Sequence, residues 1–408
     1  MTSRVAAGCG SPTLAVPRRL RARAASPRTP LTARAQTASV GDVAPSAIPA
    51  NASVLVIGAS GRTGKEVVRT SLLLGIPVLA GTRDGAFDVA AALGEDVAAA
   101  SVVPWTVPRV TPVQVDVTRP ETVARAIAAF ERRDEDEDEN EISRETSLTR
   151  FVVFAATAPA RGDPDAVDRG GLTTVARACV AAGVPRLVVV SGAGVTARNR
   201  GAPAYRFLNA FGGRMDAKAA GEAAVVAAFA ESRRRFETDA SSEANVGSDV
   251  GTTMPPRHRP SYPSYTIIRP SGLLDTAERG VSGLAANRGD VAAGFLGRAD
   301  LAACVVACGL DARCAFASFE VYDRGTAVPT KTLSVAEILS DRNVARLASI
   351  LTGQAFRESA AFGAVFDASG AAERERDAAA REATRFERAG FETWGDMFAG
   401  IERDAFPL

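Results

Sequence analysis

Glycines 58, 61 and 64, in "VLVIGASGRTGKEVV", are the residues whose spacing most directly implies chemistry. A glycine can end an apolar strand in a sharp turn, as Gly58 would. A second lets backbone approach a phosphate with no Cβ in the way, the place for Gly61. A third lets a new helix pack closely on the strand, the place for Gly64. Backbone N–H groups and the positive end of that helix then face an anion, which predicts a dinucleotide pyrophosphate on the loop, with Ser60, Arg62 and Thr63 beside it. About 20 residues on, an acid would grip an NAD ribose. The chain reads "AGTRD" there, so Arg83 and Asp84 compete. With Arg62 as a second cation, the pattern predicts NADP(H) rather than NAD(H), because guanidinium–phosphate hydrogen bonds are strong and charge-assisted.

The elements that would position these residues are legible as apolar runs. Residues 53–59, 76–82, 110–116, 150–156, 186–192 and 265–272 are rich in Val and Ile with little polar alternation, the pattern of strands covered on both faces. Helical patterns at 63–74, 120–131, 165–182 and 215–231 lie between them, two of them ended by Gly75 and Gly183. This alternation predicts a doubly wound α/β fold, a parallel sheet with helices on both faces.

Residues 1–41 contain no acid but seven arginines among Ser, Thr, Ala and Pro, which predicts an organelle transit peptide over 1–48. Removing those arginines would take the formal net charge from +1 to −6, which argues against nucleic acid as a partner. No apolar run reaches the length of a membrane span. Residues 49–327 then form the nucleotide-binding domain, with disordered insertions expected at about 131–148 and 233–263, one an acidic run and one rich in Pro and Ser. The only histidine, His258, falls in the second, so no histidine base is expected in the core. Cys304 and Cys308 are one turn apart in an Ala-rich helix, a spacing read as two small buried residues rather than metal ligands, and no metal site is expected. Residues 328–408 read as a mainly helical C-terminal extension whose Phe391, Trp394, Phe398 and Ile401 dock on the chain's own domain.

Six ordered segments, "VIGASGRTGKEVV", "GTRD", "VDRGGLTTVARACVAAGVPRLVVVSG", "DAKAAGEAAV", "YTIIRPSGLLD" and "LGRADLAACVVACGL", resemble the atypical short-chain dehydrogenase/reductases, and within them the NmrA-like NAD(P)-binding group that includes chloroplast proteins. The resemblance covers about residues 52–323 without the two insertions. It implies a Rossmann fold in which Gly58, Gly61, Gly64, Arg62 and Arg83 hold cofactor phosphates and Asp116 lies near the adenine. It further places Ala155 and Ala156 against the cofactor, Ser191 facing the nicotinamide, Lys218 on the nicotinamide ribose, and Pro270, Ser271 and Gly272 bordering the nicotinamide. Ser191 and Lys218 are thus the candidate catalytic residues.

The family's proton-donating Tyr, four residues before the Lys, is replaced by Arg214, which cannot act as a general acid near neutral pH. Tyr205 is the nearest phenol, at a spacing that does not share the helical face of Lys218. The missing Tyr favours a redox-responsive or scaffold protein that binds NADP(H) and a protein partner. The intact Lys218 and Ser191 favour the alternative, an NADPH-dependent oxidoreductase acting on a carbonyl, quinone or conjugated alkene. The leader and the resemblance together imply a plastid location, in the stroma or peripheral to thylakoids, with the mitochondrion as the alternative.

Overall fold

The computed structural model describes residues 48–49, 52–94, 97, 110–132, 150–235, 237–238, 262–333 and 372–404. They belong to one unit, Gln36–Leu408; a second unit, Met1–Ala35, lies outside the described residues. Also outside them are most of the expected insertions, His258 included, and residues 334–371 of the extension.

The chain runs β1 (Ser53–Ile57), α1 (Arg62–Leu73), β2 (Val78–Thr82), β3 (Val110–Gln114), α2 (Pro120–Arg132) and β4 (Arg150–Phe154). A π-helical turn, Asp165–Gly171, leads into α3 (Leu172–Ala182) and β5 (Arg186–Val190). Next come α4 (Pro203–Asn209), α5 (Arg214–Ala228), β6 (Ser264–Pro270), β7 (Leu284–Asn287), α6 (Arg298–Leu310) and β8 (Ala317–Asp323). The C-terminal part supplies α7 (Ala372–Arg385), β9 (Arg388–Ala389) and α8 (Trp394–Phe398).

These strands form one sheet in the order β3-β2-β1-β4-β5-β6-β8-β7-β9. It is parallel from β3 to β8; β7 is antiparallel to β8, and β9 is antiparallel to β7. Strand order reverses at β1, which pairs with β2 on one side and β4 on the other. A doubly wound sheet opens its ligand crevice there, beyond the carboxyl ends of the strands.

Alternation along β1 shows why it must be covered twice. Val54 and Val56 join a core with Val67, Val68 and Leu72 of α1 and Leu301 and Val305 of α6. Leu55 and Ile57 face the other way, into a core with Val123 and Ile127 of α2, Val175 of α3 and Val225 of α5. Burying each of these side chains contributes about 1.5–3 kcal/mol, so each of the four apolar residues from Val54 to Ile57 is used.

The aromatic stripe of the tail is part of this core. Phe391, Trp394 and Phe398 belong to the same cluster as α1 and α6, with Trp394 and Phe398 stacked at 5.9 Å between ring centroids. A capping box starts α8: Asp396 N donates to Thr393 Oγ1 at 3.1 Å, and Thr393 N donates to Asp396 Oδ2 at 2.8 Å. Cys304 and Cys308 are fully buried in α6, and burial pushes the Cys308 thiol well above its ordinary pKa. No helix among the described residues is long and apolar enough to cross a membrane.

Candidate functional site

The loop from β1 to α1 needs its glycines for reasons visible in the backbone. Gly58 has φ +88°, and a Cβ there would lie 2.8 Å from Ala156 N, at the end of β4. A Cβ on Gly64 would lie 2.1 Å from Gly58 O, so the first turn of α1 could not sit on the strand end with any larger residue. Gly61 is the N-cap of α1, exposed and without a side-chain capping bond, and the first turn carries no acid. The end of α1 therefore presents backbone donors and the positive end of its dipole, a fit for an anion at the strand switch point.

At the tip of β2, Asp84 is turned back on its own loop. Its Oδ1 accepts from Thr82 Oγ1 at 3.0 Å and from Ala86 N at 3.1 Å. Those bonds, the Ala86 N–H foremost, hold the carboxyl below its ordinary value. Arg83 beside it is exposed. Asp116 follows β3, its Oδ1 accepting from Thr118 Oγ1 at 2.7 Å and Thr118 N at 3.0 Å, which also lowers its pKa. Arg62 points instead toward the loop after β6, where its Nη2 meets Asp275 Oδ2 at 2.5 Å; Arg298 Nη1 holds Asp275 Oδ1 at 2.5 Å.

A second group of residues gathers at the ends of β4, β5 and β6. Ser191 closes β5, its N donating to Ile268 O at 2.9 Å, while its buried Oγ has no hydrogen-bond partner among the described residues. A buried hydroxyl left so costs about 1–3 kcal/mol. Lys218, on α5, donates to Asp168 Oδ1 at 2.8 Å. Asp168 lies in the π-helical turn and also accepts from Thr157 Oγ1 at 2.7 Å and Ala158 N at 3.0 Å. Burial alone would raise its carboxyl; the charge and hydrogen bond of Lys218, with those from Ala158 and Thr157, outweigh it and leave the pKa lowered. An ammonium has three donors, so pairing with Asp168 leaves others for a ribose or an acceptor oxygen.

Arg214 occupies the place of the expected phenol, lines the cavity between the ends of β5 and β6, and bonds to the loop after β4 through both terminal nitrogens. Its Nη1 donates to Ala158 O at 2.8 Å and Thr157 Oγ1 at 3.2 Å, and its Nη2 to Pro159 O at 3.2 Å. Tyr205 does not replace it: its hydroxyl donates to Asp216, and burial with that bond pushes its pKa up to about 12.

A cavity of about 320 Å³ opens between the ends of β5 and β6, lined by Val195, Met215, Lys218, Pro270, Gly272 and Phe295 among others. A Cβ on Gly272 would lie 2.5 Å from the Phe295 ring, so this glycine admits the ring that shapes the wall. Ser271 also lines it, with its Oγ accepting from Gly294 N at 2.8 Å. The sequence-predicted residues thus fall into two groups at the carboxyl ends of the parallel strands. Gly58–Gly64, Arg83 and Asp116 lie at β1, β2 and β3; Lys218 and residues 270–272 line the cavity, with Ser191 next to its wall residue Gly192. Sequence reasoning missed Asp168, Thr157, Asp275 and Phe295, which matter through partners distant in the chain; a buried acid in "DAVDRGG" is the one local signal available.

Residues 58–231 match the family described as NAD(P)H-binding. Solved structures similar to this chain include the anaerobillin reductase ChuY from Escherichia coli, with 18% identity, covering 67% of this chain and 98% of that one at a TM-score of 0.41. They also include the oxidoreductase ylbE from Lactococcus lactis, with 15% identity, 72% and 97% covered and a TM-score of 0.42. The enzyme WbmG from Bordetella bronchiseptica, in complex with NAD, has 17% identity, with 74% and 79% covered at a TM-score of 0.38. No curated protein matches the sequence.

Proposed function

We propose that this chain, NAD(P)(H)-binding and Rossmann-like through its residues 58–231, uses NADP(H) to reduce an apolar acceptor that carries a carbonyl, a quinone or a conjugated alkene. The observation that carries this reading is the cavity at the ends of β5 and β6, whose wall is mostly apolar and includes Lys218. Small-molecule sites have this character: apolar walls with a few fixed polar groups. When bound, the reduced nicotinamide supplies the hydride. The chain's own part is to seat the phosphates on the glycine loop, to hold the acceptor against apolar walls, and to offer Lys218 Nζ and Ser191 Oγ to polar atoms of cofactor and acceptor. Arg83 supports NADP(H), because Asp84 is taken up by its own turn and the guanidinium is exposed. The composition of the leader supports import into a plastid.

With Arg214 in place of a phenol, the proton for the acceptor comes from water. A positioned acid is worth about 10²- to 10⁴-fold in rate, so turnover is expected to be slow on carbonyls and less affected on quinones and enones. Titration of the full chain with NADPH by calorimetry, followed by a panel of apolar quinones, enones and aldehydes, tests the reading. Acceptor-dependent NADPH oxidation that disappears in Lys218→Ala supports it. Binding without turnover on any acceptor turns the assignment to the second reading, a cofactor-binding regulator, which the engagement of Arg214 with Ala158 and Pro159 favours.

A further inference from the structure

We infer that Asp275 is a built-in competitor for the cofactor's phosphate: its carboxylate holds Arg62 at the mouth of the glycine loop and gives it up when a phosphate arrives. The inference rests on the dinucleotide-binding reading of that loop. Arg62 is the first residue of α1 and Arg298 the first residue of α6, and the carboxylate of Asp275 bridges the two, one oxygen to each guanidinium. Two guanidinium groups, each from the first residue of a helix, thus converge on a single carboxylate, the setting in which a phosphate is also favoured.

The two contacts are not equivalent. Residues Leu273–Leu274 pair in parallel with Leu296–Gly297, and this short ladder sets Asp275 directly beside Arg298. The Arg298 side chain is 9% exposed, so it anchors the carboxylate. Arg62 and Asp275 are 54% and 64% exposed, so the bond between them is screened by water and is the one that exchanges. Arg62 follows Gly61 at the N-terminus of α1, so a swing of its side chain alone can carry the guanidinium from Asp275 to an anion on the loop. Both charges on Asp275's side are then kept satisfied, Asp275 by Arg298 and Arg62 by phosphate. Asp275 therefore lowers affinity for every dinucleotide phosphate that Arg62 would touch.

The test is calorimetry of the full chain and of Asp275→Asn with NADPH and, separately, NADH. Asn keeps the shape and removes the charge. The variant is expected to bind about two- to fivefold more tightly, the range set by exposed ion pairs, and the gain is expected to vanish in an Arg62→Ala background. A gain for both cofactors assigns Arg62 to the pyrophosphate, and a gain for NADPH alone assigns it to the 2′-phosphate. Wild-type binding with unchanged or weaker binding by Asp275→Asn, its unfolding midpoint intact, overturns the competitor role and makes Asp275 a clasp or a bystander. Binding by neither protein overturns the cofactor reading and this inference together.

Discussion

Lys218 reaches Asp168 because Gly221, one turn further along α5, lets the helix lie against the π-helical turn: a Cβ at 221 would be 2.3 Å from Asp168 O. The close approach brings the ammonium of Lys218, a residue of the cavity wall, to a carboxylate that is 1% exposed. The pair is therefore a product of packing as much as of charge.

Asp168→Ala is expected to destabilise the protein by about 3–5 kcal/mol, since it leaves the partly buried Lys218 without its counter-charge. Gly221→Ala should cost about 1–3 kcal/mol by pushing α5 off the turn. Urea unfolding of both variants checks this; a loss below about 1 kcal/mol for Asp168→Ala would show that the pair does not hold α5 in place.

Arg83→Ala is expected to weaken NADPH binding by about 10- to 150-fold, the equivalent of a charge-assisted hydrogen bond of about 1.5–3 kcal/mol, and to leave NADH almost untouched. Calorimetric titration with each cofactor measures the ratio. Equal losses for both would remove Arg83 from the 2′-phosphate.

Asp300, buried at the start of α6, is the group that should write its protonation into stability. Burial is the main cause that raises its pKa to about 6 from 3.8, and its Oδ2 has no hydrogen-bond partner among the described residues. A carboxyl with a raised folded pKa holds its proton more tightly when folded, so its contribution is full below pH 3.8 and is lost as pH rises through about 6. Asp300→Asn should therefore stabilise the protein at pH 7–8 by up to about 2–3 kcal/mol, with the difference shrinking toward pH 4. Denaturant midpoints measured across that range would contradict this if the two proteins stayed parallel.

Trp394→Ala should cost about 3–5 kcal/mol, the usual range for an aromatic side chain removed from a core. Thermal unfolding reads it directly, and a change near zero would mean that the tail is a removable appendage.

What was legible in the sequence was local. The strands β1, β2 and β4 to β6 announce themselves as apolar runs, and three glycines at a fixed spacing announce the loop, because each needs only its neighbours to make sense; β3 is a strand as expected but lies half-exposed at the sheet edge rather than covered on both faces. β8 does not, since "ASFEVYD" carries a glutamate in its middle. Glu320 is fully buried there, and Arg269, which also bonds Glu222 at 2.8 Å, stands 3.5 Å away. Its partner lies on another strand, so a buried strand reads as polar. The candidate site divides the same way: Gly58, Gly61 and Gly64 were visible, whereas Asp168 and Asp275 acquire meaning only when Lys218, Arg62 and Arg298 fold against them.

The place of the tail has a consequence for the order of events in folding. Phe391, Trp394 and Phe398 complete a core that begins with Val54 and Val67, so the first strand and helix wait for the last aromatic residues before their shared apolar face is closed. Contacts of such long range are slow to form. A chain emerging N-terminus first holds that face open until synthesis is finished, and this interval, rather than the finished fold, is when it most needs a chaperone.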